Sequence, residues 1–120
     1  MNTLNNITTN NPTTYFKVTK NDINNHKALL PNKLYEVMEQ FVTDMITNNP
    51  DLSVNAPKLY KLEILKNAFL NDKLLIQSQI TKLNHNELQL LVLVNDEKTK
   101  TTTCKATFKF QLKEPFLKAS

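Results

Sequence analysis

The chain has 120 residues, of which 40 % are hydrophobic, 22 % charged and 8 % aromatic. This length and composition predict one globular domain, because such a chain can bury roughly two-thirds of the surface that it exposes when unfolded. No apolar run approaches the ~20 residues that a membrane-spanning helix requires. We therefore expect neither membrane insertion nor disorder in the bulk of the chain.

The positive charge is carried by lysine alone. All 15 cationic residues are lysine, and against 11 acidic residues they give a net charge of +4. Proteins that read nucleic acid favour arginine, whose guanidinium makes bidentate contacts to guanine and phosphate. The absence of arginine therefore argues against specific nucleic-acid binding.

The cysteine content and the first residues indicate the compartment. The single cysteine, Cys104, cannot form an internal disulfide, and one cysteine with two histidines is too small a set for a structural zinc site. Residues 1–12 form a predicted flexible tail, rich in Asn and Thr, without the basic start and apolar run of a secretory signal. We expect a cytoplasmic protein with no metal or redox cofactor.

A strand and a helix are predicted first along the chain. Residues 13–19 are β-branched and aromatic, which favours a strand that ends at the turn Lys20-Asn21-Asp22. From Pro31 to Thr47 the apolar residues recur at three- and four-residue spacing, which predicts an amphipathic helix. Proline suits the first turn of a helix, and residues 48–50, Asn-Asn-Pro, supply a cap and a breaker before a loop over residues 51–57.

Four β runs follow without another helix, over residues 59–69, 73–83, 87–96 and 99–112. The polar turns between them are short, which implies antiparallel hairpins. Apolar and polar residues alternate in the second and fourth runs, so one face of the sheet is buried and needs the helix to cover it. The order β-α-β-β-β-β predicts an α+β sandwich over residues 13–113, followed by a C-terminal tail over residues 114–120.

Glycine is absent, so the tight turns must use another residue. Asparagine tolerates the left-handed backbone region best among the alternatives. We therefore expect turns at the asparagine clusters near residues 24, 48, 71, 85 and 95. His85 lies in one of these clusters and is interpreted as a turn residue, whereas Cys104 and Met45 are interpreted as core.

Three short motifs accompany this order of elements. Asp22-Ile-Asn24-Asn-His26 lies between the first strand and the helix, and residues 61–65 (Lys-Leu-Glu-Ile-Leu) precede the hairpin at residues 71–74 (Asn-Asp-Lys-Leu). The first motif is similar to the D-x-N-x-H of plant-type acyl-ACP thioesterases, and the others resemble the strand and G-D-x-L hairpin of the 4-hydroxybenzoyl-CoA thioesterase superfamily. The chain thus resembles the hotdog fold, in which a curled antiparallel sheet of about five strands wraps around one long helix.

The resemblance implies a thioesterase that acts on acyl-CoA or acyl-ACP in fatty acid metabolism. Asp22 would be the general base that activates water, or the nucleophile that attacks the thioester, and Asn24 and His26 would orient the reacting groups.

Substrate-binding residues are expected at the start of the helix. The first N–H groups, near Asn32, Lys33 and Leu34, are expected to lack intrahelical partners and to polarise the thioester carbonyl. Met38 and Met45, both on the apolar face of the helix, would be core residues or would lie beside the acyl chain.

Two carboxylates on the helix, Glu36 and Glu39, are further catalytic candidates. Residues 36–40, Glu-Val-Met-Glu-Gln, are similar to the E-A-M-A-Q helix segment of hotdog dehydratases, in which a carboxylate partners a histidine. A 3-hydroxyacyl-ACP dehydratase or hydratase that uses His26 with one of them is therefore an alternative function. A non-catalytic module that only binds an acyl carrier is another, favoured by the unusual segment from Lys27 to Asn32.

The resemblance also implies a homodimer or homotetramer, with two sheets joined edge to edge and the active site at the subunit interface. A lysine-rich surface suits the phosphates of CoA or the acidic surface of a carrier protein.

Overall fold

The computed structural model describes residues 13–48 and 58–112. Its elements are β1 (Thr13–Lys17), a 3₁₀ turn (Lys20–Asp22), α1 (Pro31–Thr47), β2 (Lys58–Ile64), β3 (Lys73–Leu83), β4 (Glu87–Asp96) and β5 (Thr102–Gln111). The predicted order β-α-β-β-β-β is therefore confirmed. The two predicted tails and the predicted loop over residues 51–57 lie outside the described residues.

The five strands form one antiparallel sheet in the order β1-β3-β4-β5-β2. The hairpins β3-β4 and β4-β5 make its centre, as the short polar turns predict. The first two strands in the sequence, β1 and β2, lie at opposite edges, so within residues 13–48 and 58–112 each has one strand neighbour and one free edge.

The core lies between α1 and one face of the sheet. The helix buries one stripe of apolar side chains, namely Leu34, Met38, Phe41, Val42, Met45 and Ile46. The strands bury alternate residues, for example Leu88, Leu90, Val92 and Val94 on β4. Cys104 on β5 is fully buried with its Sγ 4.0 Å from the Sδ of Met38. The interpretation of Met45 and Cys104 as core residues is therefore confirmed.

Five strand boundaries differ from the sequence prediction, two of them by one residue, and the largest difference is at the end of β2. This strand ends at Ile64, not at residue 69, because the N–H groups of Leu65 and Lys66 both donate to the carbonyl of Thr103, at 2.8 and 3.3 Å. Because both N–H groups bond to the same carbonyl, the chain leaves the hydrogen-bond ladder between β2 and β5 at this point. β1 ends two residues earlier than predicted, and β5 begins three residues later.

The turns are built without glycine in two ways. Among the described residues three adopt positive φ. Asn71 (75°) is an asparagine, as expected, whereas Lys27 (64°) and Lys100 (61°) accept the steric cost that a Cβ brings there. Asn84 instead acts through its side chain, whose Oδ1 accepts the N–H groups of residues 86 and 87 at 2.8 and 2.9 Å. His85 is an exposed residue of this turn, as predicted.

Candidate active site

The loop between β1 and α1 is fixed by a buried carboxylate. Asp22 is 5 % exposed, and its Oδ2 accepts hydrogen bonds from the N–H of Thr19 at 2.9 Å and from the Thr19 hydroxyl at 2.8 Å. The carbonyl of Asp22 accepts the N–H of Leu30 at 2.9 Å. Both ends of the loop are therefore tied to this one residue.

The surroundings of Asp22 keep it ionised. The N–H of Thr19 is the largest influence and lowers the pKa of Asp22 below its ordinary value of 3.8, against the opposing effect of burial. The Thr19 hydroxyl and the ammonium of Lys33, whose Nζ lies 3.8 Å from Oδ1, lower the pKa further. At neutral pH the site thus holds a buried anion with a lysine beside one oxygen.

Asn24 and His26 are not buried like Asp22, and each has a different position in the loop. The Oδ1 of Asn24 accepts the N–H of His26 at 2.8 Å and the N–H of Ala28 at 3.1 Å, and its own N–H donates to the carbonyl of Ala28 at 2.9 Å. This asparagine therefore closes the turn over residues 24–28. His26 is exposed on that turn, and no hydrogen bond or ion pair joins it to Glu36 or Glu39 within the described part of the chain.

At the start of α1, the expectation that three N–H groups lack hydrogen-bond acceptors is wrong for two of them. The N–H groups of Lys33 and Leu34 both donate to the carbonyl of Leu30 at 3.1 Å, because the first turn is tight. Within residues 13–48 and 58–112, only the N–H of Asn32 among the three has no backbone acceptor. Leu34 and Met38 are buried in the core, at 4 % and 0 % exposure.

A groove of about 660 Å³ lies between β1 and α1. Apolar side chains line its walls, among them Phe16, Val37, Phe41 and Met45. Lys33, Glu36, Glu39 and Asp44 contribute its charged groups. The structure thus brings three predicted site residues to one groove, and Lys33 connects them with Asp22.

Two features of this groove were not predicted from the sequence. One is the contribution of β1, since the residues of a strand do not show which of its two faces borders the helix. The other is the hydrogen bond from the Tyr35 hydroxyl to Oε2 of Glu39, at 3.0 Å, although their four-residue spacing was a signal for it. Burial first, and then Glu39, raise the pKa of Tyr35, so this hydroxyl keeps its proton.

Two kinds of feature are missing from the described residues. They contain no group of three or more His, Cys, Asp or Glu side chains with the geometry to hold a metal ion. Nor do they contain a helix with the length and apolar character needed to cross a membrane.

Comparison with solved structures identifies the architecture. A hypothetical thioesterase of Streptococcus pneumoniae with coenzyme A matches at a TM-score of 0.72 and 17 % identity, over 86 % of this chain and 78 % of that one. This 120-residue chain therefore has the hotdog fold. A Streptococcus mutans protein bound to acetyl-CoA matches at 0.72 and 16 % identity, over 88 % and 82 %. An acyl-CoA hydrolase of Staphylococcus aureus, in complex with butyryl-CoA and CoA, matches at 0.74 and 12 % identity, over 85 % and 65 %.

Sequence comparison adds nothing to the hotdog assignment, since no family model and no curated protein matches this chain. The identities of 12 to 17 % establish the fold. The expected hotdog architecture is therefore confirmed by structure.

Proposed function

We propose that this hotdog protein hydrolyses acyl thioesters at Asp22. The observation that carries the proposal is a buried carboxylate, held ionised between the first strand and the helix, with Lys33 linking it to a groove of ligand size. Two further facts support it: two of the similar structures hold acetyl-CoA or butyryl-CoA, and one of them is a named acyl-CoA hydrolase.

The chemistry needs a base and a donor for the oxyanion. The Oδ1 of Asp22 takes a proton from water, and the hydroxide attacks the thioester carbon. The N–H of Asn32 and the ammonium of Lys33 stabilise the oxyanion. The C–S bond then breaks, and the thiolate takes the proton from Asp22. If the carboxylate attacks directly instead, it forms an anhydride that water hydrolyses to the same products.

In this proposal the groove binds the acyl chain of the substrate. Its walls of Phe16, Val37 and Phe41 suit a hydrocarbon chain, and its volume lies within the range of small-molecule sites. The carboxylates at its rim disfavour phosphate there. The exposed Lys20 and Lys27, on the loop that contains Asp22, would attract the phosphates of CoA or an acidic carrier protein.

The test is release of free thiol from a panel of acyl-CoA and acyl-ACP substrates. We expect Asp22→Asn to lower kcat by at least about a hundredfold, the ordinary contribution of a general base. Asp96→Asn is the matched control, because Asp96 also has a lowered pKa and accepts two turn N–H groups, from Lys98 and Thr99, yet it lies at the β4-β5 turn, whereas Asp22 pairs with Lys33 of the groove.

Three outcomes of this assay would contradict the proposal. Equal activity in wild type and Asp22→Asn would remove Asp22 from the chemistry. A folded wild type that forms an enoyl product without thiol would identify a dehydratase. Binding of an acyl carrier without turnover would identify the non-catalytic module.

A second copy of the chain is proposed at the free edge of β2. In the described part of the chain, five of the six exposed large hydrophobic residues lie on this strand or just after it: Tyr60, Leu62, Ile64, Leu65 and Phe69. An edge strand with such a patch is a template for pairing with another strand. The patch reaches the candidate loop, because Phe69 pairs with Ala28. A dimer formed here therefore borders the candidate active site.

One register of this dimer keeps like charges apart. Lys61 and Glu63 lie on the same face of β2, opposite Thr107 and Lys105 of β5. Antiparallel pairing centred on Leu62 sets Lys61 of each copy against Glu63 of the other. Pairing centred on Lys61 or on Glu63 would place two identical charges in contact, which destabilises a sheet.

A further inference from the structure

A bulge in β5 places an unexpected polar residue on the buried side of the sheet. Cys104 pairs with Val94 and Thr102 pairs with Asn95, so Thr103 is an extra residue between them. A bulge turns the extra side chain away from the normal alternation. Thr103 and Cys104 are accordingly both buried, at 1 % and 0 % exposure, although they are consecutive in a strand.

Thr103 lies on the wall of a cavity of about 20 Å³ beside the start of α1. Leu29 and Leu34 contribute one side of this cavity, and Asn67 and Ala68 contribute another. The Oγ1 of Thr103 is buried and has no hydrogen-bond partner in the part of the chain that the structure describes. A hydroxyl buried in this way is costly unless another polar atom pairs with it.

We propose that this cavity holds one ordered water molecule bound to Thr103 Oγ1. A water molecule needs a space of roughly 10–15 Å³ and two to four polar partners. The cavity has this volume, and Asn67, whose amide and main chain offer further polar partners, is among the residues that line it. An apolar ligand would leave the hydroxyl unpaired, and a larger polar ligand would not fit.

The position of this water site gives it a role in holding the candidate loop. The N–H of Leu29 donates to the carbonyl of Ala68 at 2.8 Å, and both residues line the cavity. The water therefore connects three segments, namely the end of the loop, the β2-β3 connection and the bulge in β5. The inference does not depend on the proposed hydrolysis, because it concerns packing beside the loop and no reacting atom.

The test compares Thr103→Val, which keeps the shape and removes the hydroxyl, with Thr103→Ser, which keeps the hydroxyl. In crystals at high resolution, we expect one water peak within hydrogen-bonding distance of Oγ in wild type and in Thr103→Ser, and none in Thr103→Val. Thr103→Val should lower the Tm by about 5 °C, as the loss of one buried hydrogen bond does in a domain of this size. The N–H of Leu29 should also exchange several-fold faster in Thr103→Val.

Thr107→Val is the matched control, because Thr107 lies on the same strand but is only half-buried. Its Tm should stay within about 1 °C of wild type, as for most surface substitutions. A dry cavity in wild type, together with a Tm of Thr103→Val equal to or above that of wild type, would overturn the proposal. That result would show that the hydroxyl is unpaired and that a methyl group is the better occupant.

Discussion

The two free edges of the sheet differ in what they leave uncovered. β1 exposes one large hydrophobic side chain, Tyr15, and the Nζ of Lys73 lies 4.3 Å from the centre of its ring. Between β1 and the helix is the groove of about 660 Å³. β2 and the residues just after it instead expose the apolar patch from Tyr60 to Phe69.

This difference shows that one sheet with one helix can present two kinds of binding surface. A concave groove with apolar walls and a few charges suits a small ligand. An apolar edge strand, with no strand paired to its outer side in the described residues, suits another strand. The candidate loop lies against both regions, through Lys33 at the groove and through the pairing of Ala28 with Phe69 at the patch.

The largest effect is expected at the β2 edge. Lys61→Glu and Glu63→Lys should each weaken the dimer by roughly a hundredfold, because two symmetric contacts, each worth about 1 kcal/mol, change from attraction to repulsion. An equimolar mixture of the two variants should dimerise as tightly as wild type, since every contact between the two positions then joins opposite charges. Sedimentation equilibrium of each variant alone and of the mixture measures this.

Lys98→Glu, an equal change of charge at an exposed turn, is the control for net charge. A mixture no tighter than the single variants would show that the register centred on Leu62 is wrong. A monomeric wild type at all concentrations would remove the second copy from the β2 edge altogether.

A smaller effect is expected at the β1 groove. Gln40→Trp places a bulky side chain on the groove wall from an exposed helix position. It should lower kcat/KM for a long-chain acyl-CoA by roughly tenfold and leave acetyl-CoA nearly unaffected, because only the long chain needs the filled volume. Thr47→Trp, also exposed on the helix but outside the groove, controls for the aromatic residue itself. Equal losses for both chain lengths would place the acyl chain elsewhere.

The smallest effect is expected on stability in acid. Since the folded protein lowers the pKa of Asp22 below 3.8, the contribution of this carboxylate to the free energy of unfolding is present above that pH. It is lost as the pH falls through the folded pKa. Urea unfolding of wild type should therefore lose stability below pH 3.8 more steeply than Asp22→Asn does. Parallel curves would show that Thr19 and Lys33 do not stabilise the ionised form.

The sequence by itself determined the elements and the fold. The periodicity of Pro31 to Thr47 gave both bounds of the helix, and the alternation in residues 73–83 gave both bounds of β3, because local spacing decides which side chains share a face. The D-x-N-x-H motif at Asp22 predicted the position of the candidate site. It did not predict that the Oδ1 of Asn24 closes a turn, since that depends on the loop conformation.

Only the tertiary structure decided the surfaces on which function depends. Which strands lie at the edges, and hence where the groove and the apolar patch form, follows from strand order rather than from any local pattern. The bulge that buries Thr103 follows from the register of β5 against β4. The ion pair between Asp22 and Lys33 requires α1 to pack beside the loop. These properties are set by contacts between segments, which the spacing of residues along the chain does not contain.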